Sequence, residues 1–344
     1  MHGAPRRRAM SSQEHPETLM RVLALGRLAA TLAAALALCP PALAADYPSQ
    51  PVTFVVGYTP GGAIDQSARL IASELAKRWK QSVIVDNKPG ANATIAATAV
   101  ANARPDGYTL LVAASSHNLN KFVNKNLRYD VEKSFTPVAL TVEVPNVLVV
   151  NAGSPYRDLG QLLAALREKK KQFSYSSQGI GGVPHLAGEL FKIRTGTDIL
   201  HVPYKGAAQG MTDLMGGVVD MSFPTPGSAM GYINQGKLRA LAVASNERLA
   251  QLKDVPTFAE AGVPDYLIST WHGLLAPAGT PPAVVAKINA DVADILRDPA
   301  VQRAMEAQGN LAAKPLTAEE FRAKLSRELS VYGDIASRID LSGG

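Results

Sequence analysis

Cysteine is almost missing: of 344 residues only Cys39 carries a thiol, and it falls in the first 44. Beyond that point the chain can form neither a disulfide nor a thiolate metal site, so its stability has to come from a large apolar core. Aromatic residues are scarce at 6%. No basic stretch is interleaved with them, and "REKKK" at Arg167 to Lys171 stands alone as a solvated helix end, so a nucleic-acid surface is not expected. Catalytic signatures are absent too. There is no Gly-x-Ser-x-Gly, no His-Glu-x-x-His and no Gly-Lys-Ser/Thr phosphate loop. The four histidines past residue 44 (His117, His185, His201 and His272) lack ligand spacing. Neither a metal nor a cofactor is expected.

The apolar run near the start is too short to span a bilayer. That run, "LAATLAAALAL" from Leu28 to Leu38, is preceded by Arg21 and Arg27 and followed by Pro40 and Pro41. As a helix it rises about 16 Å, half the hydrocarbon thickness, which is the length of a signal-peptide core. "ALA" at Ala42 to Ala44 supplies a small-x-small cleavage pattern. Residues 1–44 are therefore read as an export leader, with translation starting at Met1 or Met20, and the mature chain as periplasmic and not membrane-spanning. The formal charge of +6 includes five of the 35 basic and two of the 29 acidic residues in that leader, so the remainder carries only +3.

What the mature chain does have is alternation. "VTFVVG" (Val52 to Gly57) reads as a strand buried on both faces, and Ala68, Ile71, Ala72, Leu75 and Trp79 then fall on one helical stripe. "VIVDN", "ANATIAATAVANA" and "YTLLVAA" continue as strand, helix, strand, which predicts a parallel doubly wound sheet. The rhythm restarts at "NVLVV" and runs through "SYSSQGIGG", "ILHVPY", "VVDMSF" and "LRALAVAS". A helix start marked by Pro281 and Pro282 and a helical region from Thr317 follow. The prediction is two doubly wound α/β domains, each discontinuous, joined by a hinge around a central cleft. Residues 45–146 with 270–322 form the first, and 147–269 with 323–344 the second.

Ligands of open α/β sheets sit where strands end and helices begin. Two glycine turns qualify: "YTPGGAID", with Tyr58, Pro60, Gly61, Gly62, Ala63 and Asp65, and "SSQGIGGVPH", with Ser177, Gly181, Gly182 and His185. Both free backbone N–H groups at a helix start and let an anion approach without a Cβ in the way. Charge-assisted bonds from both domains then suffice for a micromolar carboxylate site without an arginine clamp, since Arg69 and Lys88 are read as facing solvent or neighbours. Asp65 is read as an N-cap. Asp220, mid-strand in "VVDMSF", is placed in the site, accepting from a ligand hydroxyl, ammonium or water. Ser115 and Ser116 end the third strand and face the cleft. The competing reading is an exported enzyme acting on a small carboxylate, with His185 or Asp220 as acid/base.

"YTPGGAIDQSAR", "VIVDNKPGAN", "HVPYKG", "DLMGGVVD", "GKLRALAVAS", "DVPTFAEAG" and "WHGLLAPAGTPPAVVAKIN" occur in that order along the mature chain. Together they resemble the successive signatures of the Bug family, the solute receptors of tripartite tricarboxylate transporters. The resemblance implies a monomeric periplasmic binding protein of Venus-flytrap form. It implies capture of a small organic acid by backbone donors and waters at Tyr58 to Asp65 and Ser177 to His185, with Asp220 on the matching strand. It also implies delivery to a two-component membrane permease. Departures from the family pattern fall at Gly182, where a hydroxyl is usual, at Asn92 and Ala93, which replace glycines, and at Gln209, where proline is common. They leave the ligand open among dicarboxylates, tricarboxylates, amino acids and aromatic acids.

Overall fold

The computed structural model describes residues 47–339 and residue 341. The expected leader, Cys39 and the final "SGG" lie outside the described residues. The described residues from Pro48 onward form one compact unit built on two five-stranded sheets.

The first sheet is entered by β1 (Val52–Val56), whose Val52, Phe54, Val55 and Val56 are all buried. Helix α1 (Ala63–Trp79) lays Ala68, Ile71, Ala72, Leu75 and Trp79 into the core and stops at Lys80, which is left-handed. Strand β2 (Val83–Asn87) pairs parallel to β1 on one side and β3 (Thr109–Ala114) parallel on the other. Between β2 and β3 lies α2 (Thr94–Ala101), and α3 (Ser116–Val123) follows β3. The long β4 (Phe135–Pro145) completes the outward path.

The second sheet repeats the plan. It holds β5 (Val147–Asn151), α4 (Leu159–Glu168), β6 (Phe173–Ser177), α5 (Val183–Thr195), β7 (Ile199–Pro203), α6 (Ala207–Met215), β8 (Met221–Ser222), α7 (Pro226–Asn234) and β9 (Leu238–Val243). The chain then returns through β10 (Ser269–Pro277) to the first sheet and ends with α8 (Pro282–Arg297), α9 (Pro299–Ala307) and α10 (Ala318–Ala336). The strand orders are β2-β1-β3-β10-β4 and β7-β6-β8-β5-β9. The two lobes thus share one topology, though no sequence repeat betrays it.

Two expectations need correction. The sheets are mixed rather than wholly parallel: β10 runs antiparallel to β3 and β4, and β5 antiparallel to β8 and β9. Strands buried on both faces show the same apolar run in either direction, so the pattern could not report polarity. "VVDMSF" contributes only Met221 and Ser222 to a strand, because Gly216 to Asp220 form the preceding turn.

The antiparallel strands orient the lobes. β4 ends at Pro145 opposite Ser269, the first residue of β10, and β5 starts at Val147. Asn146 ties this junction down: its side chain donates to Phe223 O at 2.7 Å and its N–H to Ile268 O at 3.2 Å. Ala114, the last residue of β3, lies opposite His272 near the start of β10, while Ser222, the last of β8, lies opposite Val149 in the middle of β5. The carboxyl ends of the parallel strands in both sheets therefore point at the hinge. Helix α10 straddles it, with Phe321, Leu325 and Leu329 in the core around Trp271 and Tyr332 and Ile335 in the core around Phe191.

Candidate functional site

Six helices begin at the hinge-facing strand ends, and two of their turns are nearly superposable in their bonding. In the first, Gly61 takes φ +86° and Gly62 is the extended N-cap of α1. In the second, Gly181 takes φ +76° and Gly182 is the extended N-cap of α5. Such positive φ values are readily adopted only by glycine. The third residue of each helix reaches back to the glycine before the cap: Gly61 N–H donates to Asp65 Oδ2 at 2.9 Å, and Gly181 N–H to His185 Nδ1 at 3.0 Å. Asp65 is thus not the N-cap, since Gly62 holds that place, but it does consume one turn donor.

Asp65 is almost fully buried and also accepts from Arg69 Nε and Asn87 Nδ2, each at 2.9 Å. Burial alone would raise its carboxyl, but the bonds from Arg69, Gly61 and Asn87 hold it below the usual range. Arg69 is spent on Asp65 and Asn87, and Lys88 on Asp86 at 2.9 Å, so neither is free to clamp a ligand. On the second turn the His185 ring stacks on His201 with centroids 4.0 Å apart, and burial pushes both down to about 4. His185 is then neutral at pH 7, with Nδ1 unprotonated to accept from Gly181. His201 Nε2 meets Ser177 Oγ at 2.6 Å, which holds the base of the loop.

The helix starts differ by location. Away from the hinge, α4 is capped by Asp158, α9 by Asp298 and α10 by a Thr317–Glu320 capping box. At the hinge-facing ends, α1, α5 and α6 have glycine N-caps (Gly62, Gly182 and Gly206) with no side-chain cap. The first intrahelical bonds run from Gln66 N–H to Gly62 O and from Leu186 N–H to Gly182 O. The N–H groups of Gly62, Ala63 and Ile64, of Gly182 and Val183, and of Gly206 and Ala207 have no partner among the described residues and sit in a positive helix-end field. Pro60 is exposed at the tip of the first turn.

The remaining expected residues fall into two groups. Tyr58 Oη is hydrogen-bonded to Ser116 Oγ, and burial raises its phenol, which the Ser116 bond only partly offsets. Ser115 is buried and does not face the gap: its Oγ accepts from Trp271 N–H at 2.9 Å, pinning β10 to the start of α3. Asp220 departs most. It accepts from Ser174 N–H at 2.9 Å and pairs with Lys171, at the end of the sheet opposite Ser177, where it latches strands together. A ligand in the gap is out of its reach.

Several features were missed by sequence reasoning. The α6 start, in "YKGAAQG", is a third glycine-capped helix whose signal, a glycine shortly after a strand, was available. Ser176 is more deeply hidden. Its hydroxyl is buried with no partner among the described residues and lines a cavity of about 10 Å³, shared with Gln178, Pro184, Gly206 and Ala207. That is room for one oxygen-sized atom. In the first lobe, Ala91, Asn92 and Ala93 take φ of 46°, 53° and 67° in succession. Asn92 Nδ2 donates to Asn120 Oδ1 at 2.8 Å and Asn120 Nδ2 returns a bond to Asn92 O at 3.0 Å, holding this uncommon left-handed turn against the gap. No group of three or more His, Cys, Asp or Glu able to hold a metal occurs among the described residues.

The family profile described as tripartite tricarboxylate transporter family receptor matches residues 67–325. Protein BugT of Bordetella pertussis is 34% identical over 299 residues, covering 86% of this chain and 91% of BugT. A TctC solute-binding protein crystal structure from Polaromonas superposes with TM-score 0.80 at 31% identity, over 85% of this chain and 100% of that one. MatC from Rhodopseudomonas palustris, solved with bound malate, gives TM-score 0.62 at 33% identity, over 84% of this chain and 100% of MatC.

Proposed function

Because the chain belongs to the tripartite tricarboxylate transporter receptor family, we propose that it captures a small carboxylate between its two lobes and hands it to a two-component membrane permease. Members of this family are receptors, and the chain is a solute-binding receptor rather than an enzyme. Its relatives are periplasmic, and no helix among its described residues is long and apolar enough to cross a membrane. The leader over residues 1–44, cleavage before Ala45 and a monomeric mature form complete the proposal. The lobes are taken as 45–146 with 270–322 and 147–269 with 323–344.

The carrying observation is the three helix starts, α1, α5 and α6, capped by glycine and by nothing else at the hinge-facing strand ends. A carboxylate bridging two lobes satisfies those donors with charge-assisted bonds worth about 1.5–3 kcal/mol each. Four or five such bonds near the upper end of that range, set against an association cost of about 4 kcal/mol, reach the roughly 8 kcal/mol of a micromolar site. The binding set is Tyr58, Pro60, Gly61, Gly62, Ala63 and Ser116 from one lobe. From the other come Ser177, Gly181, Gly182 and His185, to which Ser176, Gly206 and Ala207 are added. Asp65 supports the first turn, and Ser115 and Asp220 are left out. The malate held by MatC makes dicarboxylates the first class to try.

A thermal-shift screen of residues 45–344 against mono-, di- and tricarboxylates, amino acids and aromatic acids tests the reading. A specific rise in Tm with one class of acid is expected. A flat response to every acid, at concentrations far above micromolar, would refute it.

A further inference from the structure

A second cavity lies away from the hinge-facing glycine turns, on the first lobe. It encloses about 600 Å³, within the range of small-molecule sites, between α10, the segment leading into β4 and the end of β10. Part of its wall is apolar, with Val131, Phe135, Leu275 and Leu325, and the rest is polar. Two cations stand over it. Lys133 makes no ion pair among the described residues, and the Arg322 guanidinium has only a loose contact with Glu319, at 3.7 Å. The one acid on the lining, Glu132, is already paired with Lys121 at 3.2 Å.

Asn118 gives the cavity a polar point. Its side chain is 1% exposed and fixed by donation to Leu325 O at 3.0 Å and Glu328 Oε2 at 2.7 Å. Its amide oxygen makes no hydrogen bond among the described residues. An acceptor, an apolar stretch of wall, an unpaired Lys133 and a loosely paired Arg322 call for a ligand with three matching parts.

We propose that this cavity is a second ligand site, separate from the interlobe cleft, for an amphipathic carboxylate with an apolar or aromatic body and a hydroxyl or amide donor. The carboxylate pairs with Lys133 and Arg322, the body covers Phe135 and Leu275, and the donor meets Asn118 Oδ1. The site does not depend on what the cleft binds.

Isothermal titration with hydrocinnamate and its para-hydroxy derivative tests it. The proteins are the mature chain, Gly61→Val (which disables the cleft), Lys133→Glu/Arg322→Glu, and Ser326→Trp, an exposed helix position whose indole fills the cavity. Binding is expected to persist in Gly61→Val and to weaken about tenfold or more in the other two. The para-hydroxy derivative is expected to bind several-fold more tightly than its parent. Ser326→Trp should leave cleft binding unchanged, which shows that it is folded. No binding at millimolar ligand, binding lost only in Gly61→Val, or affinities unmoved by the cavity variants would overturn the proposal. Equal affinity of the two acids would overturn the role given to Asn118.

Discussion

Replacing Ser176 by alanine should move stability and affinity in opposite directions. The Ser176 hydroxyl is buried without a partner among the described residues. Such a group costs about 1–3 kcal/mol of desolvation, so deleting it should stabilise the unliganded protein by about 1 kcal/mol. In a chain of this size that raises Tm by roughly 1–2 °C. The change leaves no gap to refill, because the Cβ of Ser176, which lies 3.3 Å from where a Cβ on Gly210 would sit, is kept. In the liganded protein the same hydroxyl has a carboxylate oxygen, or a water bridging to one, as partner. Its loss should weaken binding about tenfold, the usual value of one good hydrogen bond to a charged group. Differential scanning fluorimetry of the free variant and calorimetric titration with the acid found in the screen read the two effects separately. A lowered Tm together with unchanged affinity would show that Ser176 is a packing residue, and the placement of a ligand oxygen beside α6 would be wrong.

Gly61→Val should abolish carboxylate binding with little loss of structure. No neighbour lies within 4 Å of the added Cβ, but φ +86° forces the turn to rearrange, and circular dichroism with titration separates the two outcomes. Asp220→Ala should lower Tm by removing the latch on Ser174 and Lys171 while leaving Kd unchanged, and a weakened Kd would return Asp220 to the site. Acid should destabilise the fold. His117 and His272 are buried and held near pKa 4 by burial, against 6.5 when unfolded, so each favours the native state above pH 6.5. That advantage of about 3 kcal/mol per ring fades as pH falls from 6.5 through 4, because the unfolded chain takes up the protons first. Glu328 works the other way, since burial raises its carboxyl to about 7, and stability is regained as pH falls through 7. With His185 and His201 also lowered to about 4, the histidines outweigh it, and Tm at pH 4.5 should lie well below Tm at pH 7. A Tm that holds or rises in acid would contradict the buried neutral rings.

The parts of the molecule written in local pattern were legible from residues alone. The stripe of Ala68, Ile71, Leu75 and Trp79 defines α1, and the β-branched run at Val52 to Val56 defines β1, because periodicity and propensity agree there. The two glycine turns could be placed at strand ends for the same reason. What escaped depends on distant partners. The antiparallel course of β10 is set by its pairing with Ala114 and Pro145, far away in sequence. Asp220 looked like a charge stranded in a strand, yet its partners are Ser174 at the start of β6 and Lys171 just before it. His201 gave no sign of its stack on His185, and Ser176 none of its isolation, since both follow from how α5, α6 and β6 pack. Ser115 read as a strand-end hydroxyl facing the cleft and is in fact tied to the Trp271 backbone.

Backbone amide exchange is the most direct probe of main-chain donors gripping the ligand. Hydrogen–deuterium exchange of the mature protein, with and without a saturating dicarboxylate, should show slowed exchange at Gly62 to Ile64, Gly182 to Val183 and Gly206 to Ala207. Those amides should stand out from others equally exposed in the free protein. Protection confined to other segments, with these helix starts exchanging at their free-state rates, would contradict the account.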